Sequence, residues 1–478
     1  MKVSLLIPPT SLETDSYGKL QRFSYPMPSI GLAYIAAVLE ANGYEARIVD
    51  AYATPCTIGE IVNQIEGVAV LGVSLLTTSA CATYKLVREI RRRYPQIKIV
   101  YGNVHASLFP QECFDEGCAD YIVHQEGELT FLELCDFISG RKKIAVEEIR
   151  GISYMADGVV KTNQLRPFID DLDSLPYPAW HLYDLSRYAN DPRTEVIPGV
   201  MEFQVLATRG CPMECTFCSS RTDKSLGNRY RMRKAEKIVE ELQYMHDHYG
   251  ARVFHFMDLS FPLIKQHAID FCKAMVDSGL SGKIKWLTEL RVKPLDEETV
   301  TWLQRSGCVR VYFGIESGDD EVLKKIKKGF TCDDVRRAVK LCHEAGLQVD
   351  GLFMLGLPAD TAATMKRTVD LAVDLGVRFA IFNLFVPYPG CQLHDELSAQ
   401  KKIHYRDWTD FISYPTYSEK VPVYVPDGLT KGELMRIQAS AMKRFYLRPR
   451  FIWDQIVNFK MSHVPYYISG LKGVLTVR

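Results

Sequence analysis

The chain has 478 residues, with 58 Lys and Arg against 58 Asp and Glu, and the resulting zero net charge removes any electrostatic case for a nucleic-acid or polyanion partner. Hydrophobic residues make up 47% and charged residues 24%, which excludes a disordered or fibrous chain, and at about 150 residues per domain the length predicts two to four domains. The opening MKVSLLIPPT lacks a basic segment followed by an apolar run and a cleavage site, and no apolar stretch approaches about 18 residues, so a soluble, cytoplasmic protein is expected.

From Lys2 to about Gly140 short β-branched runs alternate with helical patterns. Strands are predicted over 3–7, 45–50, 68–76, 97–103 and 121–125, and helices over 30–43, 58–66, 82–95 and from about Glu128. Apolar strands alternating with helices imply a parallel sheet covered on both faces. Such a doubly wound domain takes its ligands at the carboxyl ends of the strands. Residues 146–200 change character: IRGISYMADGVVKTNQ carries two short strands around Asp157-Gly158, a hairpin signal. IDDLDSLPYPAW, after it, is acidic and proline-rich as linkers often are, so the domain junction is placed here.

From 203 to about 390 the alternation resumes. Strands over 203–210, 253–258, 284–290, 309–317, 349–356 and 379–387 alternate with helices over 234–248, 263–278, 296–306, 320–327, 332–345 and 361–375. Six such strands predict a barrel or partial barrel with its chemistry on the loops at the strand carboxyl ends. The remainder is more helical and aromatic-rich.

Thirteen cysteines, odd in number and spread along the chain, make a poor disulfide framework. Ten of them, Cys56, Cys81, Cys113, Cys118, Cys135, Cys272, Cys308, Cys332, Cys342 and Cys391, are scattered and read mostly as small buried hydrophobes. The other three fall within eight residues, Cys211-Pro-Met-Glu-Cys215-Thr-Phe-Cys218, directly after the first strand of the second half. Thiolates at spacings of four and three on a loop leaving a strand can converge on one metal cluster, whereas four would complete a structural zinc or a fully ligated iron–sulfur cluster. Two readings stand: a [4Fe–4S] cluster with one iron left open, and a zinc site completed by a distant His or Cys.

C-x3-C-x2-C in this place, with Phe217 before the third Cys, resembles the radical S-adenosylmethionine (SAM) superfamily, and the resemblance extends over about 201–400. It implies that the open iron chelates the amino and carboxylate groups of SAM and that an electron from the reduced cluster cleaves a carbon–sulfur bond. The resulting 5'-deoxyadenosyl radical takes hydrogen from an unreactive carbon, with an external reductant of flavodoxin or ferredoxin type upstream. Met257-Asp258-Leu259-Ser260-Phe261 sits where the family has a polar segment near the methionine amine, but departs from its usual double-acid or Gly-Gly-Glu form, leaving Asp258 and backbone carbonyls as contacts. Glu289 and Arg291 match positions that bind the SAM ribose or carboxylate, with a surface ion pair as the competing reading. GIESG (314–318) resembles the family's Gly-x-Glu-Ser segment and assigns Glu316 and Ser317 to the ribose or amine, against a helix N-cap by Ser317. Leu355, Gly356 and Leu357 match the segment that packs on adenine. VPYPGCQL (386–393) resembles the Pro-Gly-Thr close of the sixth strand with Cys391 in the Thr position, either facing the cavity as a catalytic thiol or packing.

The first half resembles the cobalamin (B12)-binding domain that precedes this barrel in a large subgroup. The resemblance lies in PSIGLAYIAAVLEANGYEARIVDA (28–51), Ser74-Leu75-Leu76, YGNVHAS (101–107) and HQEGE (124–128). The DLDSLPYPAW linker and RFYLRP (444–449) also belong to it. It implies cobalamin contacts from Ser74, Thr77, Thr78, Gly102 and Asn103, residues that can equally cap helices in a domain that only shapes the substrate pocket. There is no Asp-x-His-x-x-Gly and no His before His105, so cobalt would lack a His ligand from below. Asn103 replaces the second glycine of a Gly-Gly-x-His segment, and its side chain is expected where a flat corrin should approach backbone.

The implied division is a B12-binding-type, Rossmann-like domain over 1–145, a hairpin and linker over 146–200, a radical SAM partial (β/α)6 barrel over 201–400 and a helical region over 401–478. From Lys443 onward seven Lys and Arg face one acidic residue, Asp454, among aromatics, a pattern that suits a membrane surface, an acidic substrate or a solvated helix over the barrel mouth. The expected function is radical functionalisation of an unactivated carbon in a small-molecule, lipid or tetrapyrrole-like substrate, led by cobalamin-dependent C-methylation in a biosynthetic pathway. Cyclisation, dehydration or carbon–carbon coupling without cobalamin is the alternative, and a non-enzymatic cobalamin- or zinc-binding protein the further one.

Overall fold

The computed structural model describes residues 1–13, 26–53, 56–188, 195–219, 227–414 and 420–457, with Val464 and Ile468 beyond them. Two compact units result: Met1–Ala189 with Ser219–Arg231 and Arg406–Thr409, and Asn190–Cys218 with Met232–Tyr405 and Asp410–Arg478.

In the first unit the β-branched runs form β1 (Lys2–Ile7), β2 (Glu45–Asp50), β3 (Val70–Ser74), β4 (Lys98–Gly102) and β5 (Tyr121–Val123). The helices are α1 (Ile30–Ala41), α2 (Ile58–Gln64), α3 (Ala80–Arg93), α4 (Val104–Leu108), α5 (Pro110–Asp115) and α6 (Gly127–Ile138). Both faces of these strands are apolar. Val3, Leu5, Val70 and Val100 pack with residues of α1 and α6, whereas Leu6, Leu71, Val73 and Ile99 pack with residues of α2 and α3. A strand buried on both sides pairs in parallel, and β2-β1-β3-β4-β5 are parallel throughout. Chain order reverses between β1 and β3, which opens a crevice at the strand carboxyl ends. Asp157 and Gly158 both take positive φ, 54° and 75°, the requirement of a two-residue I′ turn. The hairpin they close, β6 (Ile152–Ala156) and β7 (Val159–Thr162), adds two antiparallel strands to the same sheet, so its backbone groups are satisfied within the first unit rather than in a free connector.

The second unit contains β8 (Glu202–Val205), two-residue strands β9 (Thr208–Arg209) and β10 (Arg231–Met232, at the boundary between units), β11 (Val253–Phe256), β12 (Lys285–Leu290), β13 (Cys308–Glu316), β14 (Gln348–Leu355) and β15 (Phe379–Leu384). Its helices are α7 (Ala235–Tyr249), α8 (Lys265–Asp277), α9 (Glu297–Arg305), α10 (Asp320–Lys325), α11 (Cys332–Glu344), α12 (Ala362–Asp374), α13 (Gln392–Ala399), α14 (Lys431–Tyr446) and α15 (Pro449–Val457). The order β15-β14-β13-β12-β11-β8, parallel at every pair, is that of a partial (β/α)6 barrel. One face carries the aromatic cluster Phe256, Phe261, Phe271 and Trp286. Near the amino ends of the strands charged side chains converge instead. Arg310 donates to Gln348 Oε1 at 3.1 and 3.0 Å and stands 3.9 Å from Asp350, which in turn accepts from Arg378 at 2.5 Å. Burial pushes the Glu202 carboxyl up while Arg310 and Arg378 oppose that shift, so β8 joins the same ionic layer.

The joint between β8 and α7 rests on Arg233, which donates to Leu206 O at 3.2 Å and Lys237 O at 3.3 Å and is paired with Glu241, both side chains buried. Removing one member of a buried pair leaves an uncompensated charge. Glu241→Ala should therefore cost about 3 kcal/mol in urea unfolding; a loss below about 1 kcal/mol would mean that the pair adds little beyond a surface ion pair.

Candidate functional site

The cysteine loop leaves β8 under tight control. Asp258, buried after β11, accepts from Ala207 N at 3.2 Å, from Thr208 N at 2.5 Å and from the Thr208 hydroxyl. Its two oxygens are thus turned onto the strand that feeds the loop. Beyond Gly210, which takes φ 85°, the loop is held from two further sides. Thr216 N donates to Ile326 O at 3.1 Å, Leu393 N donates to Thr216 O at 3.0 Å, and the Cys215 thiol points at Lys327 O, 3.9 Å away. Cys211, Cys215 and Cys218 are half-buried. Burial pushes the Cys211 thiol up, and the neighbouring Cys218 and Cys215 push it further.

Among the described residues no three His, Cys, Asp or Glu side chains are gathered tightly enough to hold a metal ion. Three thiolates on one loop are soft donors of the kind an iron–sulfur cluster takes, one per iron.

Beside the loop lies a compact charged group. Glu316, at a register shift in β13, takes the left-handed φ of 67° and accepts from Lys328 Nζ at 2.8 Å, both residues being buried. The Lys328 ammonium also sits 5.4 Å from the Phe217 ring centroid and 5.8 Å from that of Phe330. Gly314 makes room for the pair, since a Cβ there would lie 2.9 Å from Glu316 Oε1 and 3.2 Å from Lys328 Nζ. Burial pushes the Glu289 carboxyl up, Glu316 adds to that, and Lys328 opposes it. Arg291 donates to Lys328 O at 2.6 Å, while its Nε is buried without a hydrogen-bond partner among the described residues. Glu289 and Arg291 thus belong to the same polar group as Glu316.

Ser317 does not cap α10. That post belongs to Asp319, which accepts from Val322 N at 3.1 Å, while the fully buried Ser317 accepts from Asp319 N at 3.2 Å and lies 3.4 Å from Thr368 Oγ1. Leu355 and Leu357 are fully buried and flank Gly356, whose φ is 82°. The Gly356 and Leu357 N–H groups both donate to Asp360 Oδ2 at 3.0 Å, and burial raises the Asp360 carboxyl to about 6. Cys391 caps α13, its sulfur accepting from His394 N at 3.3 Å, and burial pushes its thiol up to about 11, with Cys218 among the charges that add to the rise.

In the first unit Ser74, Thr77, Thr78, Gly102 and Asn103 all gather at the carboxyl ends of β3 and β4, where Ser74 is paired with Gly102. Asn103 adopts φ 79°, which Asn tolerates better than most residues. Its amide turns back on the sheet: Nδ2 donates to Ser74 Oγ at 3.1 Å and Oδ1 accepts from Val104 N at 2.7 Å. A side chain spent in this way leaves the ground in front of Gly102 open, where a Cβ would meet nothing nearer than Val123 O at 3.8 Å. Leu76 beside it is 47% exposed. A flat ligand fits this ledge. The buried His105 holds Thr77 from below, Nδ1 being 3.3 Å from its hydroxyl and Nε2 3.4 Å from Glu112 Oε1, which also accepts from Trp408 Nε1 at 2.9 Å. Burial pushes the Glu112 carboxyl up, but these bonds outweigh it and hold it below its ordinary range.

Sequence reasoning missed Lys328, which is one of four lysines in KKIKKG and differs from the others only by being buried. It also missed Thr208, Thr216 and Asp360, whose roles depend on backbone groups brought from elsewhere in the chain.

The sequence profile of the Radical SAM superfamily matches residues 205–372, and that of the B12 binding domain matches residues 20–135. The chain is 30% identical over 482 residues to the "Uncharacterized methyltransferase PH0819" of Pyrococcus horikoshii, covering all of this chain and 98% of that protein. It is 28% identical to the cytidylyl-2-hydroxyethylphosphonate methyltransferase of Streptomyces wedmorensis over 93% of this chain and 89% of that one. Among solved structures, the radical SAM methyltransferase TsrM of Kitasatospora setae, with cobalamin and a [4Fe–4S] cluster bound, shares the fold at a TM-score of 0.71 and 18% identity, over 94% of this chain and 89% of that one.

Asp258 gives a test of the loop anchor. Burial raises its carboxyl to about 7, so the folded chain binds this proton more tightly than the unfolded chain does. Its contribution to stability is complete below the ordinary carboxylate range and is lost as pH rises through about 7. The stability of wild type relative to Asp258→Asn should therefore fall between about pH 5 and about pH 8 in urea titrations, and a flat or rising difference would contradict the assignment.

Proposed function

The chain belongs to the radical SAM superfamily, with a B12-binding domain ahead of the radical SAM domain, and on that premise we propose that it is a cobalamin-dependent enzyme that C-methylates an unactivated carbon of a small molecule in a biosynthetic pathway. The observation that carries this reading is the thiol triplet on a loop pinned at the end of β8 beside the buried Glu316–Lys328 pair. Two relatives named as methyltransferases, one aligned over the whole chain, favour methyl transfer over other radical outcomes.

Cys211, Cys215 and Cys218 hold the cluster. When bound, a [4Fe–4S] cluster with an open iron supplies the electron that splits SAM, and cobalamin supplies a carrier for the methyl group. The chain's own residues bind, orient and shield. Glu289 is poised to ionise against the ammonium or sulfonium of SAM, because burial and Glu316 leave it short of positive charge. Glu316 fixes one side of the ligand while the fully buried Ser317 holds the turn behind it, and Arg291, whose Nε has no partner among the described residues, offers a donor to a carboxylate or ribose. Phe217, Leu355, Gly356 and Leu357 supply the apolar wall that keeps water from the site. Asp258 acts through Ala207 and Thr208, fixing the direction in which the loop leaves β8. In the first unit Ser74, Thr77, Thr78, Gly102 and Asn103 form the cobalamin ledge, with Thr77 positioned by His105. His105 is fully buried and engaged with Thr77 and Glu112, so its part would be to hold the ledge from behind. An external flavodoxin- or ferredoxin-type donor provides the electron. All thirteen cysteines are free, which suits the reducing cytoplasm.

Anaerobic reconstitution should load about four irons and four sulfides per chain. With SAM and dithionite the loaded protein should release 5'-deoxyadenosine, and with substrate also S-adenosylhomocysteine. Cys215→Ala should lose the iron and both products with an unchanged far-ultraviolet spectrum. A single zinc without broad visible absorption would defeat the reading. Cobalamin is tested separately: folded protein incubated with hydroxocobalamin should retain the corrin through gel filtration. If it does not, methyl transfer falls and a cobalamin-independent radical reaction takes its place.

A further inference from the structure

The two faces of the barrel strands differ in what they meet. On β11, β13 and β14 the side chains of Phe254, Phe256, Val311, Phe313 and Phe353 are buried. Successive side chains on a strand point to opposite faces, so the residues between and beside these, His255, Tyr312, Leu352 and Met354, line the other side, and all four are part-exposed. The interior of a barrel is ordinarily filled by its own side chains to the density of a core. Here the inner wall keeps exposed surface, so the barrel encloses open space.

His255 is the polar group on that wall that nothing in the fold accounts for. Its ring stacks on that of Tyr312 across the intervening β12, with centroids 5.5 Å apart and planes at 15°. Its Nε2 is buried without a hydrogen-bond partner among the described residues. Burial pushes the imidazole down to about 4, and Arg310 adds to that, so near neutral pH the ring carries no charge and offers one donor and one acceptor nitrogen. His255 is paired in register with Gln204 on β8 and Leu287 on β12, and Glu289 stands two residues further along β12. At about 3.3 Å per residue the ring lies about 7 Å deeper than Glu289. The charges at this depth, Arg310, Asp350 and Arg378, are matched to one another. A charged guest would find no counter-ion to spare there, whereas a neutral polar group would find the imidazole.

We propose that the open interior of the barrel receives the substrate and that His255 selects it, hydrogen-bonding an uncharged hydroxyl on an otherwise apolar skeleton that rests against Leu352 and Met354. A buried ring nitrogen left unpaired penalises a guest that lacks the hydroxyl, which is how one polar group discriminates among similar skeletons. Naming the guest as the substrate rests on the C-methylation reading, but the chamber and its chemistry do not.

The test is chemical labelling of the wild-type, full-length protein, with and without its cluster. Diethylpyrocarbonate acylates neutral imidazole, and trypsin then releases His255 in the peptide 253–265, which contains no other histidine. At about pH 6 His255 should be labelled in the folded protein, with the exposed His248 as control. Cyclohexanol at about 50 mM should slow labelling of His255 at least about threefold, while cyclohexanecarboxylate and cyclohexylammonium slow it less than about 1.5-fold and His248 is unaffected by all three. A His255 that reacts only after unfolding, no protection by the alcohol, or equal protection by either charged analogue overturns the proposal. No turnover is measured, so the two readings fail separately. A chain that shows this pattern yet takes up no iron keeps the chamber and loses C-methylation; a chain that loads its cluster and lacks the pattern does the reverse.

Discussion

Three thiols within eight residues repel one another as soon as they ionise, so the loop that bears them must be held in place by groups outside it. Burial and mutual repulsion already raise Cys211. The loop answers with anchors at both ends and in the middle: Asp258 on the strand that feeds it, Ile326 and Lys327 on one flank, Leu393 on the other. Protonation relieves the repulsion, and a bound cation that draws charge from all three sulfurs relieves it with the thiolates kept. The surrounding second unit follows from this constraint, because each anchor is the end of a different strand or helix.

The charged group next to the loop obeys a similar economy. Two carboxylates, Glu289 and Glu316, share one ammonium, Lys328, in a buried setting. With Arg291 donating to Lys328 O beside them, two acids stand with two bases, and burial still disfavours the charged form of Glu289 until a further cation faces it. The backbone is bent to suit: Glu316 itself, a non-glycine residue, sits at φ 67°, and Gly314, having no Cβ, leaves its side chain room. In the first unit the same substitution of side-chain work for missing glycine occurs at Asn103, whose amide stitches Ser74 to the start of α4.

The parts legible in the sequence were those set by local rules. Alternating apolar runs indicated parallel strands covered on both faces, and Asp157-Gly158 announced a turn in which both residues require positive φ. The cysteine triplet stood out because soft ligands at close spacing have few other uses. What stayed hidden depended on distant backbone. Nothing in KKIKKG distinguishes Lys328 until β13 brings Glu316 beneath it. Ser317 reads as a cap by composition, yet Asp319 two residues later fills that position. Asn103 reads as an obstruction because the partner that folds its amide away, Ser74, is a neighbour only across β3 and β4.

The ionic layer at the amino ends of the barrel strands bears on traffic. Arg310, Asp350 and Arg378 are tied to one another and to Gln348, with Glu202 facing them from the far edge strand. Charges matched in this way resist displacement by an incoming ligand, since moving one strands another in a poorly solvating interior. That end of the barrel behaves as a stopper. The cysteine loop leaves from the opposite, carboxyl ends of the strands, so the barrel keeps its self-matched charges at one end and its three thiols at the other.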